Sequence, residues 1–305
     1  MTTDVASFLL NRSTPFTGAH ARSTGCTRWQ LERLVRAGLI RRVLSDVYVP
    51  ADVPDSVELR ASAAALVLAP HAVMVDRTAA WLWGVDTLDP HEVGTIPPLE
   101  VFVLRGRKRV RRREAAGGER DLCSEDIVEI KDVRVTVPLR TALDLACRLS
   151  RYEAMVALDA FARLHGLTPR EMSLELERRY RRRRGVVQAR ELVPLVTPLA
   201  ESAGESFTRV VIHDEGLPAP APQRWVYDGG VPVFRLDLAY ELLKVCVEYD
   251  GEEFHGEERK EHDRRRRIWL KKHGWWVIVV KKHSFKGAAR DEWLAELRRA
   301  LAERS

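Results

Sequence analysis

The stretch "VCVEYDGEEFHGEERKEHDRRRR", Val245 to Arg267, decides how the last third of this chain folds. It opens as an apolar strand, passes at once into acids, and ends in a run of arginines. A buried carboxylate with no partner is costly enough to take up a proton instead. Either the strand leaves the core early or a cation meets those oxygens. Strand alternation orders the pattern. Val245, Val247 and Tyr249 point one way, and Lys244, Cys246, Glu248 and Asp250 the other. The valines are expected on the core and the acids on one open face.

Neighbouring segments supply the rest of a mixed sheet. "ESAGESFTRVVIHDEGL" reads as a helix carrying Glu205, "QRWVYDG" as a strand, and "VFRLDLAY" with "LLKVCVEYDG" as a hairpin. "GEERKEHDRRRRIWLKKHG" is a helix, "WWVIVVKK" a strand and "RDEWLAELRRALAER" a closing helix. The order α-β-β-β-α-β-α implies a sheet with helices on its faces. Across the hairpin, Asp237 shares the side of Glu248 if the turn spans about Tyr240 to Leu243. The helix with Glu205 adds a third carboxylate. Convergent carboxylates suit a hard cation, Mg²⁺ or Mn²⁺, which polarises a phosphoryl group and activates water. The other reading pairs Asp237 and Glu248, as exposed strand residues, with the arginines.

Upstream, "TRWQLERLVRAGLIRRVLSDVYVP" (Thr27 to Pro50) reads as helix, turn and hairpin. Thr27 with Gln30 makes a capping box. Leu31, Leu34 and Val35 form an apolar stripe, and Gly38 ends the helix. Arg28, Arg33 and Arg36 fall away from that stripe, and Arg41 and Arg42 stand on the first strand of the hairpin. A short helix with outward arginines followed by a two-stranded wing is the layout of a winged helix-turn-helix, which reads the DNA major groove. Use of such a module for protein contacts is the alternative.

Between these ends, residues 55–190 read as a mainly helical domain with a small β element. Trp81 and Trp83 are expected in its core. Arg140 and Asp144, four apart, are expected as a helix-surface pair. The stretch around Pro194, Pro198 and Gly204 reads as a junction. The expected division is 1–54, 55–190 and 200–305, in a multidomain α/β (α+β) chain.

Of the 305 residues, 31% are charged, and the net charge of +6 is concentrated in three runs: "RGRKRVRRR" (Arg105 to Arg113), "RRYRRRR" (Arg178 to Arg184) and Arg264 to Arg267. Basic runs suit polyanions, because each neutralised phosphate releases counterions. Four scattered cysteines with no CxxC pair exclude a disulfide framework and a sequence-readable zinc site. No apolar run nears the ~18 residues of a membrane span, and a reducing cytoplasm is the expected compartment.

Two resemblances attach to these residues. Ala37 to Val49 resembles the N-terminal winged helix of AbiEi-type antitoxins of type IV toxin–antitoxin systems, with Asp46 where the turn more often carries Gly. "VTVPLRTALDLA" resembles the section that follows in those proteins, which is linked to antitoxin function and to oligomerisation or operator binding. That resemblance implies DNA, a cognate toxin and a second copy of the chain as partners. Residues from about Glu201 to Phe285 resemble the PD-(D/E)XK nuclease superfamily, and more narrowly the very-short-patch-repair-endonuclease-like proteins. The pattern stands as Asp237, Glu248-Tyr249-Asp250-Gly251 and His255, then Arg259, Asp263 and Arg267, then Gly274 to Val277.

The second resemblance implies Asp237 and Glu248 as metal ligands, with Glu205 as the helix carboxylate. Asp250 stands where the superfamily has Lys. That leaves Asp250 as a further ligand, and His255 or Lys244 to do the work of the lysine. Arg259 and Arg267 would grip phosphate. Two readings stay open: a metal-dependent endonuclease targeted by the winged helix, and a non-catalytic regulator or antitoxin with a degenerate nuclease domain. A binder of RNA through the same basic surface is a third.

Overall fold

The structure, a computed structural model, describes residues 9–69, 71–87, 99–104, 106, 115–251 and 257–305, with backbone alone at 99, 115–116 and 257–263. Eleven α-helices and three sheets are present among them, a mixed α/β chain as expected. It divides into two compact units, Met1–Leu145 and Ala146–Ser305. None of the described helices is long and apolar enough to cross a membrane.

The first unit begins with β1 (Phe16–Thr17), α1 (Gly18–Ser23), α2 (Arg28–Arg36) and the hairpin β2 (Ile40–Leu44) and β3 (Val47–Pro50), in the sheet order β1-β3-β2. The capping box forms as read. Gln30 N–H donates to Thr27 Oγ1 and Thr27 N–H to Gln30 Oε1. Gly38 closes α2 at φ +68°, and Asp46 turns the hairpin at φ +58°. Aspartate tolerates this left-handed region better than most residues, so the wing keeps its turn without Gly. Leu31 and Leu34 pack with Phe16, Ala21, Ile40 and Tyr48.

A second sheet follows, larger than the small β element expected in the middle region. α3 (Val57–Ala65), β4 (Ala72–Met74), α4 (Asp76–Leu82), β5 (Leu99–Leu104), β6 (Ala115–Arg120), β7 (Ile127–Ile130), β8 (Val133–Thr136) and α5 (Pro138–Arg148) succeed one another. The strands form five-stranded order β6-β5-β4-β8-β7. Two of them are poorly signalled: β4 has three residues, and β6 reads "AAGGER", with no β-branched side chain.

Arg140 and Asp144 are not a surface pair. Arg140 is 2% exposed. Its Nε donates to Asp144 Oδ2 at 2.9 Å and its Nη1 to Asp126 Oδ2 at 2.8 Å. Arg120 bridges Asp144 to Asp76, with both Asp76 oxygens bound at 2.7–2.8 Å. The order Asp76, Arg120, Asp144, Arg140, Asp126 alternates in sign.

The second unit carries α6 (Arg151–His165), α7 (Pro169–Arg179), α8 (Val186–Leu192) and α9 (Ala203–Asp214). Then come β9 (Ala221–Asp228), β10 (Val231–Tyr240), β11 (Val245–Asp250), α10 (Glu257–Lys272), β12 (Trp276–Lys281) and α11 (Gly287–Arg304). From α9 onward this is the element order read from the sequence. The sheet runs β12-β11-β10-β9, with β11 and β12 parallel and the other pairs antiparallel. Val245, Val247, Ile278 and Val280 face Val211 and Ile212 of α9 and Trp293, Leu294 and Leu297 of α11. Cys246 and Leu236 face Leu270 of α10 and Trp275. The acids' side of β11 is therefore covered by α10 rather than open.

Within this unit α6 is tied to α9. Asp159 of α6 accepts from Arg209 Nη2 and Ser206 Oγ of α9, and from the N–H of Thr197. Arg151 grips Asp214 through Nε and Nη2. An aromatic series runs Tyr152, Phe207, Phe285, Tyr249, with ring centroids 5.3, 5.4 and 5.9 Å apart. The Tyr249 ring lies so close on α9 that a Cβ at Gly204 would overlap it.

Candidate functional site

The hairpin register sets Leu238 against Val247 and Ala239 against Cys246. One step further, Asp237 stands opposite Glu248. Here each carboxylate accepts a main-chain N–H of the other strand: Tyr249 N–H donates to Asp237 Oδ2 at 2.9 Å, and Asp237 N–H to the Glu248 carboxylate. The alternation of β10 slips at this point. Leu236 and Ala239 share one apolar cluster, and Leu238 and Tyr240 share the other. On the far side of Asp237 the β9–β10 register places Gln223, at φ +51°. Strict period-two reading therefore predicts the pairing of the two acids but not the kink that seats them.

Glu248 is only 6% exposed. Arg266 of α10 forks onto it, Nη1 to Oε2 at 2.5 Å and Nη2 to Oε1 at 2.9 Å. Nη2 also donates to the Arg235 carbonyl at 2.6 Å. Among the described residues no arginine or lysine bonds Asp237. Burial pushes Asp237 up to about 6, with Glu205 adding and the Tyr249 N–H opposing. Burial likewise pushes Glu248 up to about 7 against the pull of Arg266, and Asp237 adds.

The remaining candidates fall out as follows. Asp250 is half-buried and paired with Arg267 Nη2 at 3.0 Å, so Arg267 faces a carboxylate of its own domain. Glu205 caps its own helix: Oε1 accepts from Ser202 Oγ, and Oε2 from the Glu201 N–H and Gln223 Nε2. Lys244 is not brought to the acids. It precedes β11 at φ +49°, at the opposite end of the strand from Glu248, and its Nζ donates to the His273 carbonyl. His255 lies outside the described residues, as do the side chains of Arg259 and Asp263 and most of the Arg105–Arg113 run.

With Arg266 in place, Mg²⁺ does not fit this arrangement of oxygens. Both oxygens of Glu248 are held by Arg266, Asp250 is held by Arg267, and Glu205 is turned to its own cap. Among the described residues no three His, Cys, Asp or Glu gather to hold a metal ion. Sequence reasoning missed Arg266. Its signal was a run of four arginines on the helix after an acid-bearing strand, which leaves undecided which arginine faces the sheet.

On α2, Arg28, Arg33 and Arg36 are exposed. Arg28 is paired with Glu32 at 3.0 Å, and the Arg33 guanidinium sits 5.6 Å from the Trp29 ring centre. Trp29 is 61% exposed, a large apolar side chain on a polar face that the sequence reading passed over. Arg42, also exposed, lies over the Tyr48 ring on the wing. Arg41 is half-buried and donates to the Val53 carbonyl, which braces the segment after the hairpin.

Residues 67–195 match the AbiEi antitoxin C-terminal domain. The uncharacterized proteins MT2308 and Rv2248 of Mycobacterium tuberculosis are each 33% identical to this chain over 260 residues, covering 83% of it and 90% of their own length. The matched domain begins just after α3, runs through α8 and contains the whole charge series of Asp76, Arg120, Asp144, Arg140 and Asp126.

Proposed function

Because the chain belongs to the family of these two mycobacterial proteins and carries an AbiEi antitoxin C-terminal domain, we propose that it is a DNA-binding regulator of the antitoxin kind, acting with a cognate toxin. The domain match carries this reading. The exposed face of α2 supports it: the N-terminal residues of such a helix meet base edges, and here they are Arg28 and Trp29, followed by Arg33 and Arg36. Arg42 on the wing would meet backbone phosphate. Two copies on a two-fold symmetric operator would double each contact. The C-terminal sheet then serves binding or assembly, with its acids neutralised from within.

A mobility-shift titration with duplex from the chain's own upstream region tests this. The native chain should shift it, and Arg33→Ala with Arg36→Ala should weaken the shift at least tenfold. Binding of that duplex no tighter than random sequence sinks the regulator reading.

One observation favours a second reading, a Mg²⁺- or Mn²⁺-dependent endonuclease. Asp237 and Glu248 stand opposed on adjacent strands of a mixed sheet covered on both faces. Under this reading supercoiled DNA is nicked with either metal. Asp237→Ala or Glu248→Ala abolishes nicking while DNA binding survives. Tight binding without nicking under both metals leaves the regulator reading alone.

A further inference from the structure

We infer that Arg266 is the resident cation of the Asp237–Glu248 pair, and that removing its guanidinium turns the pair into a binding site for one divalent cation. Four arginines stand in a row at Arg264–Arg267. Arg264 and Arg265 are exposed. Arg266 and Arg267 each take a carboxylate of β11 instead of facing outward to a polyanion. Half of this run is thus spent on carboxylates of the chain's own sheet.

The geometry at Arg266 is specific. A planar guanidinium forks onto both oxygens of one carboxylate, which a lysine ammonium or a small ion does not reproduce. Its further bond to the Arg235 carbonyl anchors the group beside Asp237. One positive charge serves two opposed acids. With the guanidinium gone, Glu248 Oε1 and Oε2 and the Arg235 carbonyl lose the donor they share, and the Asp237 carboxylate stands on the adjacent strand. All are hard oxygen donors of the type that Mg²⁺ and Mn²⁺ take. A dication would neutralise both acids, which one guanidinium does not.

This rests on the C-terminal sheet and is independent of DNA reading by α2. The experiment is a Mn²⁺ titration of the full chain at pH 7.5, followed by electron paramagnetic resonance of the free ion. Arg266→Ala should bind one Mn²⁺ at least tenfold tighter than the native chain, lose it on adding Glu248→Gln, and gain melting temperature with Mn²⁺ while the native chain does not. Arg266→Gln, closer in length, takes its place if the alanine variant does not fold. Two results overturn the inference: a native chain that binds one Mn²⁺ which Glu248→Gln removes, or an Arg266 variant that binds no tighter than native. A native chain that shifts no DNA overturns the regulator reading and leaves the Mn²⁺ result standing.

Discussion

In the first unit, Asp76, Arg120, Asp144, Arg140 and Asp126 alternate in sign, and every carboxylate of the series touches a guanidinium. In the second unit, Asp237 and Glu248 face each other across one strand pair, and of the two acids Arg266 bonds Glu248. Both clusters draw on the same residue types in a largely dry interior. The difference lies in stoichiometry and order. Alternation lets each buried charge lean on its opposite, as a buried ion series needs if it is not to destabilise the fold. Opposition leaves Asp237 with a main-chain N–H and, among the described residues, no guanidinium of its own. The first is built to be permanent; the second is sensitive to pH.

The largest expected effect comes from breaking the alternating series. Arg140→Ala takes one guanidinium from each of two buried aspartates and should cost ~3–5 kcal/mol, read as a lowered urea midpoint; a loss under ~1 kcal/mol would mean that the series contributes little. Arg266→Ala tests the opposed pair. It should cost ~1–3 kcal/mol at pH 8, where Glu248 would be left charged and buried, and much less at pH 5, where Glu248 is protonated. Equal losses at the two pH values would erase the contrast between the clusters.

Glu248→Gln sharpens the same point. Raised carboxylates contribute stability that is fully present below their unfolded range and is lost as pH rises through about 6 for Asp237 and about 7 for Glu248. Between pH 5 and pH 8 the native chain should therefore lose ~3–6 °C more in melting temperature than the Gln variant. Parallel melting curves would show that the pair does not titrate there. The smallest effect is expected at the exposed Arg28–Glu32 pair: Arg28→Ala should change stability by only ~0.3–0.5 kcal/mol, whatever it does to DNA binding.

Much of this was legible in the residues, for local reasons. The capping box at Thr27 and Gln30, the hairpin turn at Asp46 and the element order from α9 to α11 all follow from spacing over a few positions. The opposition of Asp237 and Glu248 also follows, because a short turn fixes hairpin register. What was not legible depends on long-range packing. Alternation assigns Glu248 a side but does not say that α10 covers that side. Helical spacing places Arg140 four residues from Asp144 but is silent on Asp126, fourteen residues upstream, and on the sheet that buries all three. Strands β4 and β6 escaped because neighbours, not propensity, make them strands. Lys244 was misplaced because a residue before a strand can take a left-handed turn and leave the alternation.

The aromatic series from Tyr152 to Tyr249 bears on how the chain can be divided. A fragment begun at residue 200, where Pro194 to Gly204 suggest a seam, would strip Phe207 of Tyr152, Asp214 of Arg151 and Arg209 of Asp159. A fragment begun at residue 146 keeps all three. Of the two fragments the longer one keeps these contacts, and limited proteolysis should leave α6 attached to the C-terminal sheet.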